Sequence, residues 1–310
     1  MKQDLAHRKT GPRRANPALA RLAEFGPEAQ RAMQALEARA ERIVLPGRER
    51  RIVWRRWGRG EPVVLLHGSA GSWVHWIRTI DALADAHSLL IPDLPGCGDS
   101  DAAAAPGDYA SITRALAQDL DELTAADAPL GIVGFSLGSH FAIRLAQHCA
   151  PRTRHLVLIG SNLADRQGRT GQSRLANWTQ AATEAEAIAA LRANLNAMML
   201  ADPASIDPLA LELYMTDVVR SRLRLTDLGP FRPLVDGIVE LAPHIRLTGI
   251  SGRDDQIFHE VIPHQQASLD RIRPGSAFHL IAPAGHWVMY EAAERFNQVL
   301  RDTLSAPCAD

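Results

Sequence analysis

The chain has 310 residues, of which 46% are hydrophobic and 22% are charged, and its formal net charge is −1. This composition is ordinary for a soluble globular protein, and the length allows one large α/β domain or two smaller ones. Because nucleic-acid-binding proteins are usually strongly basic, the balanced charge argues against a nucleic-acid partner. No apolar run approaches the roughly 20 residues that a membrane helix needs, so we expect no membrane partner.

Residues 1–14 are basic but lack the apolar core of a secretory signal. The three cysteines, Cys97, Cys149 and Cys308, are scattered and form no C-x-x-C pair. Their spacing indicates neither a zinc site nor a disulfide framework. We therefore expect a cytoplasmic protein without a metal, in which the cysteines are small buried residues.

Residues 1–42 form an N-terminal extension. Its first part is a loose basic arm, and residues 17–42 carry apolar residues at helical spacing that Gly26-Pro27 interrupts. This pattern predicts two helices. They could cover the body of the same chain, add to a lid, or form the contact of a homodimer.

Strands and helices alternate from residue 43 onward. A hairpin-like pair is expected at 42–47 and 51–58, followed by helices at 73–86 and 112–125 and after Ser136. Apolar runs of the kind buried in a parallel sheet occur at 63–66, 89–91, 130–133 and 155–159. The alternation predicts an α/β fold with a mostly parallel sheet and helices on both faces.

The alternation stops near residue 162 and resumes near residue 244. The intervening residues carry a helical pattern and no buried-strand run, which predicts an inserted helical lid at 162–243. Strands return at 245–250 and 278–281, and the last helix is expected at 287–304. The predicted organisation is therefore an extension at 1–42, a core at 43–161 and 244–310, and the lid between the two parts of the core.

The pentapeptide Gly134-Phe135-Ser136-Leu137-Gly138 lies between an apolar run and a stretch with helical spacing. A serine at a strand-to-helix turn, with a glycine two residues to either side, is the pattern of a nucleophile elbow. The turn is so sharp that only small flanking residues let the strand and the helix approach each other. The sequence therefore predicts a nucleophile at Ser136 rather than an ordinary Gly/Ser turn.

A serine hydroxyl needs a neighbouring base, which on such a fold is a histidine preceded along the chain by an acid. His286 lies in a loop that directly follows a late strand, where Gly285 permits a tight bend. We therefore predict His286 as the base. The remaining histidines after Ser136 are ranked lower: His140, His148, His155, His244, His259, His264 and His279.

The acid is expected in the loop after the strand that ends at Ile250. Asp254 and Asp255 stand side by side there, and the residue pattern alone does not separate them. Either carboxylate could hold the histidine tautomer and stabilise the imidazolium, which requires burial against the histidine ring.

Acyl transfer also needs donors for the developing oxyanion. One is expected to be the backbone amide of Leu137, and the other an amide of Ser69 or Ala70 in the loop after residues 63–66. His67 in the same loop is interpreted as a structural hydrogen-bonding residue, because the donors at this place are backbone groups.

These motifs resemble the α/β-hydrolase fold superfamily, and in particular its capped ester hydrolases and meta-cleavage-product hydrolases. The resemblance covers about residues 43–304 and rests on His67-Gly68-Ser69, Asp93-Leu94-Pro95-Gly96-Cys97-Gly98-Asp99-Ser100, residues 134–138, Gly252-Arg253-Asp254-Asp255 and Gly285-His286-Trp287. It implies Asp255 as the acid and Ser69 as the second oxyanion donor. It also implies that the segment from Asp93 to Ser100 is a structural turn.

The resemblance implies a serine hydrolase with no cofactor, acting on a small-molecule ester. Carbon–carbon hydrolases of this group usually carry a small polar residue before the nucleophile and a glycine after the elbow. This chain has Phe135 and Ser139 there, so carbon–carbon cleavage is the alternative. A non-catalytic ligand receptor on the same fold is a third hypothesis, against which the complete triad argues.

The predicted lid is rich in leucine, methionine and alanine, and methionines suit pockets for apolar groups of variable shape. An uncharged substrate is therefore expected. The run from Arg220 to Arg224 is interpreted as a solvated helix face, and a preference for anions would instead point to Arg192 or Arg220. Beyond Ser69 and Leu137, the predicted substrate-binding residues are Phe135, Trp178, Met198, Tyr214 and Trp287, with Met199 a further candidate.

Overall fold

An eight-stranded sheet forms the centre of the molecule. The computed structural model describes residues 22, 24, 26–102, 109–164, 175–223 and 233–307. Its strands are β1 (Glu41–Ile43), β2 (Trp54–Trp57), β3 (Glu61–Leu66), β4 (His87–Pro92), β5 (Leu130–Phe135), β6 (Thr153–Ile159), β7 (Arg246–Gly252) and β8 (Ala277–Ile281). They lie in the order β1-β2-β4-β3-β5-β6-β7-β8. β2 runs antiparallel to both of its neighbours and the other pairs are parallel, which confirms the predicted fold class.

Helices cover both faces of this sheet. The α-helices of the described residues are α1 (Pro27–Glu37), α2 (Ile80–Leu83), α3 (Tyr109–Leu123), α4 (Leu137–His148), α5 (Glu184–Met198), α6 (Pro208–Arg220), α7 (Leu234–Val239), α8 (Ile262–Ile272), α9 (Val288–Glu291) and α10 (Ala293–Leu304). Short 3₁₀-helices lie at Trp73–Trp76, Trp178–Gln180 and Pro203–Ser205. Within the described ranges, none of the helices is both long and apolar enough to cross a membrane.

The central strands are buried on both sides, as their continuous apolar sequences predict. Successive side chains of a strand point to opposite faces. In β3, Val63 and Leu65 join a cluster that contains α10, whereas Val64 and Leu66 join a cluster that contains α3 and α4. Two hydrophobic layers therefore fix the sheet, and the carboxyl ends of its parallel strands meet at one edge.

The prediction of one continuous helix at 73–86 is wrong. The chain makes the 3₁₀-helix Trp73–Trp76 and then the single-turn helix α2. All four residues of the 3₁₀-helix are buried, so this segment has no polar face of the kind that an amphipathic surface helix needs. The amide of Trp73 donates to the Asp93 carboxylate over 2.9 Å, which ties the start of the turn to the sheet.

The predicted last helix is two helices. α9 ends at Glu291 and α10 begins at Ala293, because Ala292 adopts φ −122° and ψ 46°, outside the helical region. α9 is buried along its apolar residues, while α10 is amphipathic. This break separates α10 from α9, which directly follows the loop that carries His286.

The N-terminal extension packs on the same chain. The amide of Ala29 at the start of α1 donates to the Glu212 carboxylate of α6 over 2.8 Å. At the other end of α1, the indole of Trp57 in β2 donates to the Leu36 carbonyl over 2.9 Å. Helix α1 thus joins α6 to the sheet. The helix predicted before Gly26 lies outside the described residues, apart from Leu22 and Glu24.

The inserted segment, defined here as residues 162–243, contains α5, α6 and α7 and no strand among its described residues. Helices α5 and α6 pack on each other. Helix α7 was predicted to belong to the same lid as α5 and α6. In the structure it packs on α4 of the core, where Gly237 lies against the Ile143 side chain.

Candidate active site

Ser136 occupies the turn between β5 and α4 with φ 51° and ψ −116°. Among the described residues it is one of only two non-glycine residues with a positive φ. Its flanking glycines are required by close approach. A β carbon at Gly134 would lie 2.6 Å from the Gly138 carbonyl oxygen, and one at Gly138 would overlap the Leu66 carbonyl oxygen. The strain and the missing side chains are what a nucleophile elbow requires.

His286 and Asp255 form a buried pair at the carboxyl edge of the sheet. His286 Nδ1 donates to Asp255 Oδ2 over 2.7 Å, and the two residues are 2% and 0% exposed. Asp255 Oδ1 accepts the amides of Ile257 and Phe258 over 2.8 and 3.2 Å. Burial alone would raise the pKa of Asp255, but the proximity of His286 and these hydrogen bonds lower it below its usual value. The pair can therefore orient an imidazole and stabilise its protonated form.

The elbow and the histidine lie next to each other. The rings of Phe135 and His286 are 4.9 Å apart between centroids. A β carbon at Gly160 would lie 3.0 Å from the His286 ring and 3.2 Å from Phe135, while one at Gly68 would lie 3.3 Å from Ser136 Cβ. The loops after β3, β5 and β8 thus bring the predicted oxyanion loop, nucleophile and base together, next to Gly160 at the end of β6.

The predicted oxyanion loop, residues 67–72, follows β3. Leu137 is the first residue of α4, so its amide has no acceptor within the helix. Ala70, next to Ser69, has φ 50°, so the backbone of this loop is strained as well. His67 Nδ1 lies 2.7 Å from the Gly68 carbonyl and Nε2 accepts the Leu94 amide over 2.9 Å. These contacts agree with a structural role for His67.

His75 is a site residue that the sequence reasoning missed. Its Nδ1 accepts the amide of Gly68 over 3.2 Å, and its ring lies 5.4 Å from that of Phe135. Burial, together with the proximity of His67 and His286, lowers the pKa of His75 well below its ordinary value, so the ring is neutral near pH 7. A neutral imidazole that accepts at Nδ1 carries its hydrogen on Nε2. The sequence feature that could have indicated His75 is its position among the apolar residues Trp73, Val74 and Trp76, directly after the predicted oxyanion loop.

The predicted pocket residues pack against other side chains. Trp178 and Tyr214 pack against the cluster of Leu22, Ala187 and Leu191, and burial raises the pKa of Tyr214 to about 12. Tyr214 and Met198 also pack on the main core. Trp287 is 1% exposed and its indole donates to the His75 carbonyl over 3.0 Å, which argues for a packing role rather than for substrate contact.

The arginines of the inserted segment that the structure describes contact carbonyl or carboxylate groups other than that of Asp255, and they do not lie on one helix face. α6 ends at Arg220, which pairs with Asp99 over 3.7 Å. Arg222 lies beyond the helix and donates to the Ser100 carbonyl. Arg192 donates to the Ile206 carbonyl over 3.4 Å. The helical part of this prediction was wrong, because α6 ends at Arg220 and Arg222 then docks on the turn before α3. Arg222 is exposed, and Arg224 lies outside the described residues.

That turn has the structural role that the resemblance implies. The Asp93 carboxylate accepts hydrogen bonds from Arg55 and from the amides of Trp73 and Asp99. Cys97 within the turn is buried, as is Cys149 in the core, whereas Cys308 lies outside the described residues. No group of three or more His, Cys, Asp or Glu residues in the described part of the chain is arranged to hold a metal ion.

The inserted segment also contacts the oxyanion loop directly. Asp217 of α6 is buried, and the Ser72 hydroxyl lies 3.0 and 3.1 Å from its two carboxyl oxygens. A hydroxyl has one hydrogen to donate, so both contacts are full hydrogen bonds when Asp217 itself is protonated. Burial raises the pKa of Asp217 well above its usual range, in agreement with that state.

Residues 63–299 match the family model of the alpha/beta hydrolase family, and the chain belongs to that family. This match confirms the predicted class of enzyme, and the sheet and elbow described above are its fold. The chain is also similar to the 2-hydroxy-6-oxononadienedioate/2-hydroxy-6-oxononatrienedioate hydrolase of Paraburkholderia phymatum. The two are 30% identical over 283 residues, which cover 83% of this chain and 92% of the relative.

Solved structures of hydrolases share the fold. The carboxylesterase CesB of Bacillus subtilis superimposes with a TM-score of 0.70 at 18% identity, over 89% of this chain and 96% of CesB. A point mutant of the meta-cleavage product hydrolase CumD gives a TM-score of 0.65 at 24% identity, over 85% of this chain and 97% of CumD. The fold is therefore common to ester and meta-cleavage product hydrolases.

Proposed function

We propose that this chain is a serine hydrolase that cleaves a small, uncharged ester through Ser136, His286 and Asp255. The observation that carries the proposal is the buried His286–Asp255 pair, with a 2.7 Å hydrogen bond, beside a serine at φ 51°. A strained serine, a base and an orienting carboxylate at one sheet edge are the parts that acyl transfer requires.

In this mechanism Ser136 Oγ attacks the ester carbonyl while His286 Nε2 takes the hydroxyl proton. The amides of Ser69 and Leu137 stabilise the oxyanion, and the alcohol leaves with the proton returned by His286. A water molecule then attacks the acyl group on Ser136, with His286 again acting as the base. The products are a carboxylic acid and an alcohol, and Ser136 is restored.

The proposed preference for an uncharged substrate rests on the inserted segment. Its side chains near the body are largely apolar, including Met198 and Tyr214. Arg192, Arg220 and Arg222 are held by carbonyl or carboxylate groups elsewhere. Taking one of them to a substrate carboxylate would break these contacts, whereas a neutral ester requires no such change.

Carbon–carbon bond hydrolysis with the same triad is the second candidate. The relative of Paraburkholderia phymatum, whose name includes a dienedioate substrate, favours it at 30% identity. A dienedioate carries two carboxylates, so the engaged arginines argue against a substrate of that charge in this chain. Phe135, which lies against His286, also occupies the place of the small polar residue usual in carbon–carbon hydrolases.

The decisive experiment combines active-site labelling with a substrate panel. A fluorophosphonate probe should label Ser136, and p-nitrophenyl butyrate should be turned over with a higher kcat/KM than a matched ester that carries a carboxylate. A vinylogous 1,5-diketone should be a poor substrate. Preferred cleavage of the diketone would establish the carbon–carbon activity instead, and a protein that neither labels nor hydrolyses would be a receptor on this fold.

A further inference from the structure

Glu291, the last residue of α9, lies five residues after His286 and binds two separate segments of the chain. Its Oε2 accepts the amide of Gly285 over 2.6 Å and that of Ala201 over 3.0 Å. Its Oε1 accepts the amide of Asp202 over 2.8 Å. Gly285 directly precedes His286, whereas Ala201 and Asp202 follow α5 in the inserted segment. One carboxylate therefore joins the histidine loop to the inserted segment.

A second set of contacts joins the same two segments on the other side of His286. The amide of Trp287 donates to the Met199 carbonyl over 2.7 Å. At Gly285 the two backbones meet without space between them, because a β carbon there would lie 2.7 Å from the Ala201 nitrogen and 3.0 Å from the Met199 oxygen. The residues before and after His286 are thus both fastened to the end of α5.

The charge of Glu291 matters for this arrangement. A carboxylate has two acceptor oxygens with about four lone-pair sites, and hydrogen bonds from amides to a charged acceptor are stronger than neutral ones. A glutamine of the same size has one acceptor oxygen. Its NH₂ group would face either the Asp202 amide or the amides of Gly285 and Ala201, so two donors would meet.

We propose that Glu291 is a positioning residue, which holds the His286 backbone where the imidazole can accept the Ser136 proton. Because the same carboxylate binds the inserted segment, the position of His286 depends on the position of that segment. This inference rests on the proposed function of His286 as the base. Asp255 fixes the ring through Nδ1, and Glu291 fixes the backbone that carries the ring. Displacements of about 1 Å at a reacting group can cost about 100-fold in rate, so loss of this anchor affects catalysis more than binding.

The test compares Glu291→Gln with Glu291→Asp and with Glu294→Gln, a matched change at an exposed residue of α10. The readouts are kcat for p-nitrophenyl butyrate per fluorophosphonate-labelled site, KM, Tm, and the downfield proton resonance of the His286 Nδ1–H. We expect Glu291→Gln to lower kcat by about 10- to 100-fold with KM within about threefold, and to broaden or shift that resonance. Glu291→Asp, which keeps the charge but is one methylene shorter, should fall between Glu291→Gln and the parent, and Glu294→Gln should match the parent.

A purely structural role predicts a different result: a lower Tm and fewer labelled sites, with kcat per site and the resonance unchanged. That outcome would overturn the inference. If Glu291→Gln does not fold, Glu291→Asp decides, since a parental kcat per site and a parental resonance would then reject the proposal. Failure of the proposed function is recognised separately, because Ser136→Ala would then keep its activity, whereas failure of this inference alone leaves Ser136 essential and Glu291 dispensable.

Discussion

Asp255 directs its carboxylate to His286 over 2.7 Å, while Asp254, its neighbour in the chain, is exposed. The two acids are adjacent in sequence but differ completely in burial. The Asp254 amide donates to the Ala284 carbonyl over 2.8 Å, so the backbone of Asp254 holds the loop while its side chain points away. The geometry of this loop separates two residues that the sequence pattern alone left equivalent.

Ser136→Ala should abolish hydrolysis while leaving the fold intact. The base would have no hydroxyl to activate, and loss of a triad nucleophile costs about 10⁴-fold or more in kcat. Alanine keeps the β carbon at φ 51°, so the turn is no more strained than before. The measurement is kcat for p-nitrophenyl butyrate together with fluorophosphonate labelling and a circular dichroism melt. Activity within a few-fold of the parent, with normal folding, would rule out the serine mechanism.

Asp255→Asn and Asp254→Asn form a matched pair that tests the acid. Asparagine at 255 can donate to His286 Nδ1 and so favour the wrong tautomer, for which we expect a loss of about 10³- to 10⁴-fold in kcat. At the exposed position 254 the same change should cost less than about threefold. Steady-state kinetics of the two variants decide this. Equal losses, or a larger loss at Asp254, would remove Asp255 from the proposed triad.

The fold and the elbow could be predicted because they depend on local patterns. Continuous apolar runs identify strands buried on two faces, and the alternation with helices fixes a parallel sheet. Gly134 and Gly138 are recognisable because their missing side chains are a direct consequence of the close approach of β5 and α4. His286 could be singled out as the candidate base for a similar reason, since chain order and a preceding glycine restrict the choice.

The remaining site residues depend on contacts between distant parts of the chain. Ser72 and Asp217 are 145 residues apart in sequence, and nothing in either local pattern indicates their hydrogen bonds. His75 lies in a segment that resembles a helix, and its function follows from the Gly68 amide that it accepts. In the sequence Glu291 is an ordinary helical glutamate, and its role depends on contact with the end of α5. These residues could not be predicted, because tertiary contacts between distant segments leave no periodic pattern in the sequence.

His75→Phe should weaken catalysis without unfolding the protein. Phenylalanine is similar in size and can pack against Phe135 and Trp287, but it cannot accept the Gly68 amide. A buried unpaired amide costs about 1–3 kcal/mol, and the loop that presents Ser69 would move to relieve it. We expect kcat/KM for p-nitrophenyl butyrate to fall by about 10- to 100-fold. The control is His264→Phe at an exposed position, and an unchanged kcat/KM for His75→Phe would show that His75 has no part in holding the loop.

Asp217 should make the free energy of unfolding depend on pH. Burial raises the pKa of Asp217 well above its usual range, although the hydrogen bond from Ser72 opposes the shift. The charge of Asp93 raises this pKa further, and the charge of Arg220 lowers it. The native state therefore keeps a proton that the unfolded state loses at pH values above about 4. Since stability falls with pH wherever the native state binds more protons, this group lowers the free energy of unfolding as pH rises from about 4 through the folded pKa. The slope is at most about 1.4 kcal/mol per pH unit.

Asp217→Asn should remove this dependence, because an amide reproduces the protonated acid: its NH₂ donates to the Ser72 oxygen and its carbonyl accepts the Ser72 hydroxyl. Urea unfolding of the parent and the variant at pH 5, 6, 7 and 8 measures the effect. The difference in the free energy of unfolding between the two proteins should be smallest at pH 5, and the variant should become progressively more stable relative to the parent as pH rises. Asp85→Asn at an exposed position removes the same charge and should leave the parental slope unchanged. A difference between Asp217→Asn and the parent that stays constant over this range, or that grows in favour of the parent, would show that Asp217 is ionised in the folded protein.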